Sequence, residues 1–257
     1  MRGFYPLASG SKGNCLYVGT DETKILIDAG IGIRRIESSL KAIDVTLDQI
    51  DAILITHEHS DHIRSVEVLH SKYGIPIFAN GETAKGMCEV LESPPKFVIF
   101  STGETFEFGD LTIHPFSIPH DTLEPVGFTL EFNEMKLGIC ADLGFATALV
   151  KAKLKDCDYL YVESNHDPEL VYASKRPGIY KQRVLSRQGH LSNEACADLL
   201  KAIAHTNLKR VYLAHLSSEC NRIELALSSA QQALDTLGIT AELMIAHQDT
   251  ASDFLPW

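Results

Sequence analysis

The chain lacks any stretch of apolar residues that is long enough to cross a membrane. Of its 257 residues 45% are hydrophobic, but no apolar run approaches the ~18 residues that a membrane-spanning helix needs. The N-terminal segment, which Gly3 and Pro6 interrupt, has no apolar core of a secretory signal. From these absences we expect a soluble, cytoplasmic protein.

Paired cysteines are also missing. The six cysteines stand singly, without a Cys-x-x-Cys pair, which argues against a zinc ribbon and against a disulfide scaffold. Cys15, Cys88, Cys140 and Cys157 lie beside apolar residues. We expect these four to fill the core as reduced thiols.

Positive charge is scarce. The chain has 23 Lys and Arg against 34 Asp and Glu, a formal net charge of −11. Proteins that bind nucleic acid usually carry a basic surface, so this composition argues against a large non-specific duplex-binding face. One segment differs, because residues 172–188 contain five basic residues and no acidic one.

The pattern of apolar residues predicts an α/β fold with mixed strands. Strands are expected near 16–18, 25–28, 52–55, 77–79, 97–100, 111–118, 126–132, 136–140, 159–163, 211–214 and 242–245. Helices are expected near 33–43, 61–73, 82–92, 144–154, 193–205 and 219–236, the last ended by Gly238. No linker or repeat is visible, so we expect one domain over residues 1–257, with helices covering both sheet faces.

A histidine-rich turn is the most informative segment. Residues 56–62 read Thr-His-Glu-His-Ser-Asp-His and directly follow the apolar run 52–55. Alternation places His57 and His59 on one side, while Asp61 and His62 face a second position. Imidazole and carboxylate groups bind Zn²⁺, Mn²⁺ or Fe²⁺. The turn therefore predicts a metal site.

Further metal ligands are expected at the ends of later strands. His120, Asp142 and His215 each follow a predicted apolar strand, and active sites of layered α/β folds lie at strand ends. Asp28 ends the apolar run 25–27. It is expected to orient the histidine turn without binding the metal.

Taken together, these residues resemble the five-motif pattern of the metallo-β-lactamase superfamily over nearly the whole chain. The resemblance implies an α/β fold of the four-layer αββα sandwich type and two divalent ions, with Zn²⁺ favoured and Mn²⁺ or Fe²⁺ as alternatives. It implies His57, His59 and His120 on one metal, Asp61, His62 and His215 on the other, and Asp142 bridging both.

A second pair of residues refines the expected reaction. Glu163 closes the apolar run 159–162, and His190 lies in a Gly-His-Leu-Ser segment, an arrangement similar to that of ribonuclease Z. An imidazole held by a carboxylate is a suitable general acid for a leaving alkoxide; a structural ion pair is the alternative. We expect Asp61, Glu163 and His190 to act in phosphodiester cleavage, with a hydroxide bridging the metals as nucleophile.

Four segments, 8–15, 163–167, 186–193 and 213–217, resemble the YycJ/WalJ-type branch of the superfamily. This resemblance implies a bacterial nuclease that acts on DNA ends as an exonuclease. The chain departs from the branch at Cys220, where an asparagine is expected before Asn221.

Substrate contacts are expected outside the metal ligands. The Gly-Ser loop 9–14 is expected to present backbone N–H groups to a phosphate or to be a plain hairpin turn. The basic segment 172–188 would hold flanking phosphates. The residues expected to contact substrate are Ser11, Lys12, His166, Lys181, Arg183 and Arg187.

Other functions remain open at this stage. The same ligands would serve a small-molecule or cyclic phosphodiesterase, a thioesterase or a lactonase, and a catalytically silent scaffold is a further alternative. The expected partner is nucleic acid, DNA before RNA, and no membrane. The oligomeric state, a homo-oligomer included, is left open.

Overall fold

A computed structural model describes all of residues 1–257. The contacts divide the chain into two compact units. Unit 1 comprises Met1–Pro115, Thr122–Val126 and His247–Trp257, and unit 2 comprises Phe116–Asp121 and Gly127–Ala246. The expectation of a single domain stays a prediction.

Fourteen short strands run through the chain. They are β1 (Gly3–Ala8), β2 (Cys15–Gly19), β3 (Lys24–Ile27), β4 (Ala52–Leu54), β5 (Ile77–Ala79), β6 (Phe97–Ile99), β7 (Phe106–Phe108), β8 (Leu111–Ser117), β9 (Val126–Phe132), β10 (Met135–Cys140), β11 (Tyr159–Glu163), β12 (Arg210–Ala214), β13 (Glu242–Ile245) and β14 (Leu255–Pro256).

Nine α-helices separate these strands. They are α1 (Ile33–Lys41), α2 (Ser60–Ile63), α3 (Val66–Tyr73), α4 (Gly81–Val90), α5 (Ala148–Leu154), α6 (Pro168–Ala173), α7 (Gly178–Val184), α8 (Asn193–Ile203) and α9 (Ile223–Leu237). None of them is both long and apolar enough to cross a membrane.

Unit 1 is built on a seven-stranded sheet in the order β14-β1-β2-β3-β4-β5-β6. Strands β14 to β3 pair antiparallel, and β3 to β6 pair parallel. Helices α1, α3 and α4 pack on one face through side chains such as Ile36, Leu69 and Met87, all fully buried. The parallel pairing brings the carboxyl ends of β3 and β4 to the same edge of the sheet.

Unit 2 contains β9 to β13 in the order β13-β12-β11-β10-β9. Strand β9 is antiparallel to β10, and β10 to β13 run parallel. Helices α5, α8 and α9 cover one face through buried residues that include Leu154, Leu200 and Leu234. Separately, β7 and β8 form an antiparallel hairpin. The predicted α/β class is confirmed, since each unit has a mixed sheet with helices against it.

Several residues that follow parallel strands adopt a backbone conformation that most side chains avoid. Asp28 follows β3 with φ 60°, Asp142 follows β10 with φ 57°, and His215 follows β12 with φ 54°. These values lie in the left-handed region, which is costly for a non-glycine residue and persists where the surroundings enforce it. All three positions are predicted site residues, although Asp44, Asn133, Glu134 and Asp156 also have a positive φ elsewhere in the chain.

The structure corrects some predicted elements. Strand β1 is missing from the prediction because Pro6 and Gly3 disfavour a strand, yet β1 pairs with β2 on one side and β14 on the other. The helix expected at 61–73 is two helices, because Ser65 N donates to Ala29 O and leaves the helical path. Strands β7 and β14 and helices α6 and α7, each at most seven residues long, are also additions. The helix expected from 219 begins later, at Ile223. It ends at its C-cap Gly238, as predicted.

The expectation for the cysteines holds for three of the four residues named. Cys15, Cys140 and Cys157 are buried and unpaired, but Cys88 is exposed on α4. An amphipathic helix places some small apolar residues on its outer face, which is where Cys88 lies. Burial raises the pKa of the Cys157 thiol to about 12, so that thiol stays protonated.

Candidate metal centre

The histidine turn of unit 1 gathers three imidazole rings. It connects β4 to α2, and α2 begins at Ser60. His57 Nε2 lies 3.1 Å from His59 Nδ1, and the rings of His57 and His62 are 3.9 Å apart. Asp61 Oδ2 lies 3.7 Å from His62 Nε2. The turn thus presents ring nitrogens and a carboxylate together, and the division of these donors between two metals stays a prediction.

Asp28 holds this turn from the end of β3. Its Oδ2 accepts a hydrogen bond from His62 Nδ1 at 2.8 Å, and the same oxygen accepts from Thr56 Oγ1 at 2.9 Å. Its Oδ1 accepts from the Thr56 backbone N–H at 2.9 Å. Because Nδ1 of His62 donates to Asp28, Nε2 carries the lone pair that a metal would bind. This is the orienting position expected for Asp28.

Asn14 contacts the histidine turn, although the sequence analysis assigned it no role. Its side chain is buried, and Nδ2 lies 2.9 Å from His62 Nε2 and 3.4 Å from Asp61 Oδ2. Its backbone N–H donates to Asp61 O at 2.8 Å. In the sequence, the position of Asn14 in the Gly-Ser loop is the only indication of this contact.

A close backbone approach fixes the position of Asp61. A Cβ atom added to Gly30 would lie 1.6 Å from Asp61 O, so no larger residue fits there without a backbone shift. Gly30 N in turn donates to Asn14 O at 2.8 Å. The segment after β3, the Gly-Ser loop and the histidine turn are therefore packed backbone against backbone.

Unit 2 forms a second cluster of donor atoms. Ligand atoms of Asp142, Glu163, His190 and His215 all lie within 4.8 Å of one another. His215 Nδ1 is 2.8 Å from Glu163 Oε1 and 3.1 Å from Asp142 Oδ1. His190 Nδ1 is 2.9 Å from the same Glu163 oxygen. The structure thus brings the expected Glu163–His190 pair together, beside two expected metal ligands.

Glu163 has a wider role than the sequence suggested. It is fully buried, its Oε1 lies between the two imidazoles, and its Oε2 accepts from Leu143 N at 2.8 Å. Burial alone would raise the pKa of this carboxyl, but His190 and His215 outweigh it and lower the pKa to about 2. Glu163 is therefore ionised and orients His215 as well as His190. Its contacts are with Nδ1 of each ring, so they do not occupy Nε2.

His120 is oriented by a backbone carbonyl. Its Nδ1 donates to Gly189 O at 3.2 Å, and its Nε2 lies 4.0 Å from Asp142 Oδ1. Burial lowers the pKa of His120, which favours the neutral imidazole that binds metals. Its ring centre is 5.4 Å from that of His190, so His120 belongs to the same cluster.

Two asparagines that the sequence analysis did not assign support this cluster. Asn165 Nδ2 donates to His215 O at 2.6 Å. Asn221 Nδ2 donates to Ser164 O and Asn165 O at 2.8 and 2.9 Å. Both side chains are buried. They hold the segment after β11 and the strained His215 after β12. The neighbouring Cys220, which stands where an asparagine is expected, packs in an apolar cluster.

The residues expected to contact substrate differ in their surroundings. His166 is buried, with Nδ1 3.3 Å from Asn165 Oδ1, and burial lowers its pKa to about 4. Lys181 Nζ donates to Tyr172 O. Arg187 lies over the Phe145 ring at 4.0 Å. For these three the role in binding substrate stays a prediction.

Two arginines of the basic segment form ion pairs with carboxylates that lie outside the segment. Arg183 pairs with Asp121, with Nε 2.6 Å from Oδ2, and Arg176 pairs with Glu219 through two hydrogen bonds. These carboxylates come from distant parts of the chain, so a scan for local charge could not reveal them. Arg183 is held next to His120 through Asp121, a position that sequence alone does not predict.

The Gly-Ser loop forms the hairpin turn between β1 and β2, which was one of its two expected forms. Its N–H groups at Ser9, Gly10, Lys12, Gly13 and Asn14 all donate to acceptors inside unit 1. They are therefore engaged and do not form a phosphate-binding loop. Lys12 Nζ lies 3.4 Å from Asp249 in an exposed ion pair.

The donor chemistry of both clusters fits a divalent metal. Each cluster combines imidazole nitrogens with carboxylate oxygens, and the cysteines lie outside them. Such mixed nitrogen and oxygen sets bind Zn²⁺, Mn²⁺ and Fe²⁺. The hydrogen-bonded second nitrogens of His62, His120 and His215 are typical of metal-binding histidines.

Comparison with known proteins supports this assignment. A family model described as the β-lactamase superfamily domain matches residues 23–216. The chain belongs to this superfamily. Its fold class and enzyme class, a metal-dependent hydrolase of the metallo-β-lactamase fold, are therefore as expected from the resemblance.

Two curated members of the superfamily are similar over most of their length. The exodeoxyribonuclease YycJ of Bacillus anthracis is 40% identical over 238 residues, covering 91% of this chain and 90% of that protein. The exodeoxyribonuclease WalJ of Streptococcus pneumoniae is 37% identical, covering 96% and 93%. Among solved structures, the metallo-β-lactamase fold protein YhfI from Bacillus subtilis matches with a TM-score of 0.72 over 96% of this chain and 97% of that chain, at 14% identity, and supports the fold.

The Asp28–His62 contact yields a test of metal binding. Asp28→Asn keeps the side-chain size and tolerates the left-handed backbone, but removes the charge that fixes the His62 tautomer. We expect zinc affinity to fall about 10- to 100-fold, measured by competition with a zinc-binding dye.

Asp44→Asn is the matched control for this substitution. Asp44 also has a positive φ, 54°, and is exposed. Its variant should bind zinc as the unsubstituted chain does. Unchanged zinc affinity in Asp28→Asn would show that Asp28 does not orient a metal ligand.

Proposed function

We propose that this protein is a metal-dependent exonuclease that hydrolyses phosphodiester bonds at DNA ends. The observation that carries the proposal is the pair of Glu163 and His190, 2.9 Å apart and beside the donor atoms of Asp142 and His215. The exodeoxyribonuclease activity named for the relatives with 40% and 37% identity supports DNA as the substrate.

The proposal includes two divalent ions. The ligands proposed for one ion are His57, His59 and His120; those for the other are Asp61, His62 and His215, with Asp142 shared. Zn²⁺ is the first choice, and Mn²⁺ or Fe²⁺ fit the same donors. Such ions lower the pKa of water and neutralise charge at a phosphorus centre.

His190 is proposed to donate a proton to the leaving oxygen. Nδ1 of its ring is held by Glu163, so Nε2 is the atom that would carry the transferred proton. His190 is also the most exposed residue of its cluster, with 19% of its side chain accessible, which a general acid that touches substrate requires.

Cleavage of labelled polymers tests the proposed function. We expect the metal-loaded protein to release labelled mononucleotides from end-labelled single- or double-stranded DNA faster than from RNA. His59→Ala should lower this rate at least about a hundredfold, because it removes a ligand of the proposed centre.

His247→Ala is the control, because His247 is exposed and lies outside the donor clusters. It should cleave DNA normally. Equal activity of the His59→Ala variant, or turnover of small phosphodiesters alone with no release from DNA, would overturn the proposal.

The general-acid role has a separate test. His190→Asn should lower kcat on DNA by about 10²- to 10³-fold, because an alkoxide leaving group needs a proton. On bis(p-nitrophenyl) phosphate the loss should be much smaller, since p-nitrophenolate leaves without protonation. Steady-state kinetics on both substrates give the comparison.

His190 is preferred to Glu163 for this test because Glu163 also holds His215. If Glu163 and His190 form a purely structural ion pair, a different result is expected. The losses on the two substrates would then be similar, and that result would remove His190 from the reaction.

A further inference from the structure

A cavity of about 440 Å³ lies beside Asp61, within unit 1. Its volume is within the range of small-molecule sites, roughly 300–1,000 Å³. Asp61 is the only acidic residue in its wall. Because Asp61 is a proposed metal ligand, the cavity adjoins the place where the reaction is proposed to occur.

Part of the cavity's lining is polar and basic. Lys12 and Arg64 contribute two cations, and Ser11 and Ser60 contribute two hydroxyl groups. Arg64 is exposed and makes no ion pair. Lys12 has only the exposed ion pair with Asp249 at 3.4 Å, a kind of contact that contributes little stability. A guanidinium, an ammonium and hydroxyls together suit a phosphate group.

Another part of the lining is apolar. Ile63, Val90 and Leu91 form it, and Val90 remains 64% exposed at the end of α4. A nucleobase buries its flat face against such side chains, whereas a sugar phosphate alone would leave them exposed to water. The lining thus combines groups that suit a phosphate with apolar side chains that suit a base, around a volume large enough for one nucleotide.

We propose that this cavity binds one nucleotide of the substrate strand, with its phosphate at Arg64 and Lys12 and its base against Val90 and Leu91. The inference rests on the proposed nuclease function and adds to it the subsite that holds the strand beside the metal centre. Arg64 and Val90 had no role in the sequence analysis. Lys12 and Ser11, expected there as general substrate contacts, gain a defined partner group.

Equilibrium binding of thymidine monophosphate tests the subsite without requiring cleavage. Calorimetry on the metal-loaded protein compares the unsubstituted chain with Arg64→Gln. We expect Arg64→Gln to bind the nucleotide about tenfold more weakly, since it loses a charge-assisted contact to the phosphate. Arg34→Gln is the matched control, because Arg34 is exposed on α1 and outside the cavity, and it should bind normally.

A separate variant tests the apolar part of the lining. Val90→Ser should weaken binding of thymidine monophosphate about threefold and leave binding of inorganic phosphate unchanged. Val68→Ser is its control, because Val68 is an exposed valine of α3 outside the cavity. A Val90→Ser variant that binds the nucleotide as tightly as Val68→Ser would show that the base does not lie against Val90.

Oligothymidylates with and without a terminal phosphate identify the source of the bound phosphate. If Arg64→Gln weakens only the phosphorylated strands, the subsite takes a terminal phosphate; if it weakens all strands equally, it takes an internal one. Both results support the subsite. Equal binding by Arg64→Gln and Arg34→Gln overturns it. Nucleotide binding that depends on Arg64, without cleavage of any polymer, would instead refute the proposed nuclease function.

Discussion

Three of the five proposed metal-binding rings are oriented by a hydrogen bond to their Nδ1, and the candidate site depends on this constraint. His62 is held by Asp28, His215 by Glu163, and His120 by the carbonyl of Gly189. A ring whose Nδ1 donates to a fixed acceptor keeps one tautomer and one orientation, so its Nε2 is ready for a metal before the metal binds. Without the acceptor, each ring would keep its position in the chain but lose its fixed tautomer and orientation.

Those acceptors are in turn fixed by the sheets. Within each sheet, parallel strands bring their carboxyl ends to one edge. Asp28 in unit 1, and Asp142 and His215 in unit 2, adopt their left-handed backbone at such ends. Such strain persists only where packing and hydrogen bonds over-determine the backbone. In unit 2 Asn165 donates to His215 O and Asn221 donates to Ser164 O, and in unit 1 Asp28 N donates to Leu54 O.

Much of this site could be predicted from the sequence, because it follows a local rule. The histidine turn and the polar residues after apolar strands are visible as short patterns, and the structure brings them into two clusters. Contacts between distant segments leave no such pattern. The approach of Asn14 to His62, the double use of Glu163 and the pairing of Arg183 with Asp121 depend on the folded chain. Strand β1 was missed because its pairing outweighs the local preference of Pro6.

Because the account depends on a pair of ions held by donors from distant segments, their location tests it most directly. Anomalous diffraction at the zinc edge, on crystals of the zinc-loaded chain, would locate them. The account predicts two peaks, each about 2.0–2.1 Å from imidazole nitrogens. The ligands should be His57, His59 and His120 at one peak, Asp61, His62 and His215 at the other, and Asp142 at both. A single peak, or peaks remote from these side chains, would contradict it.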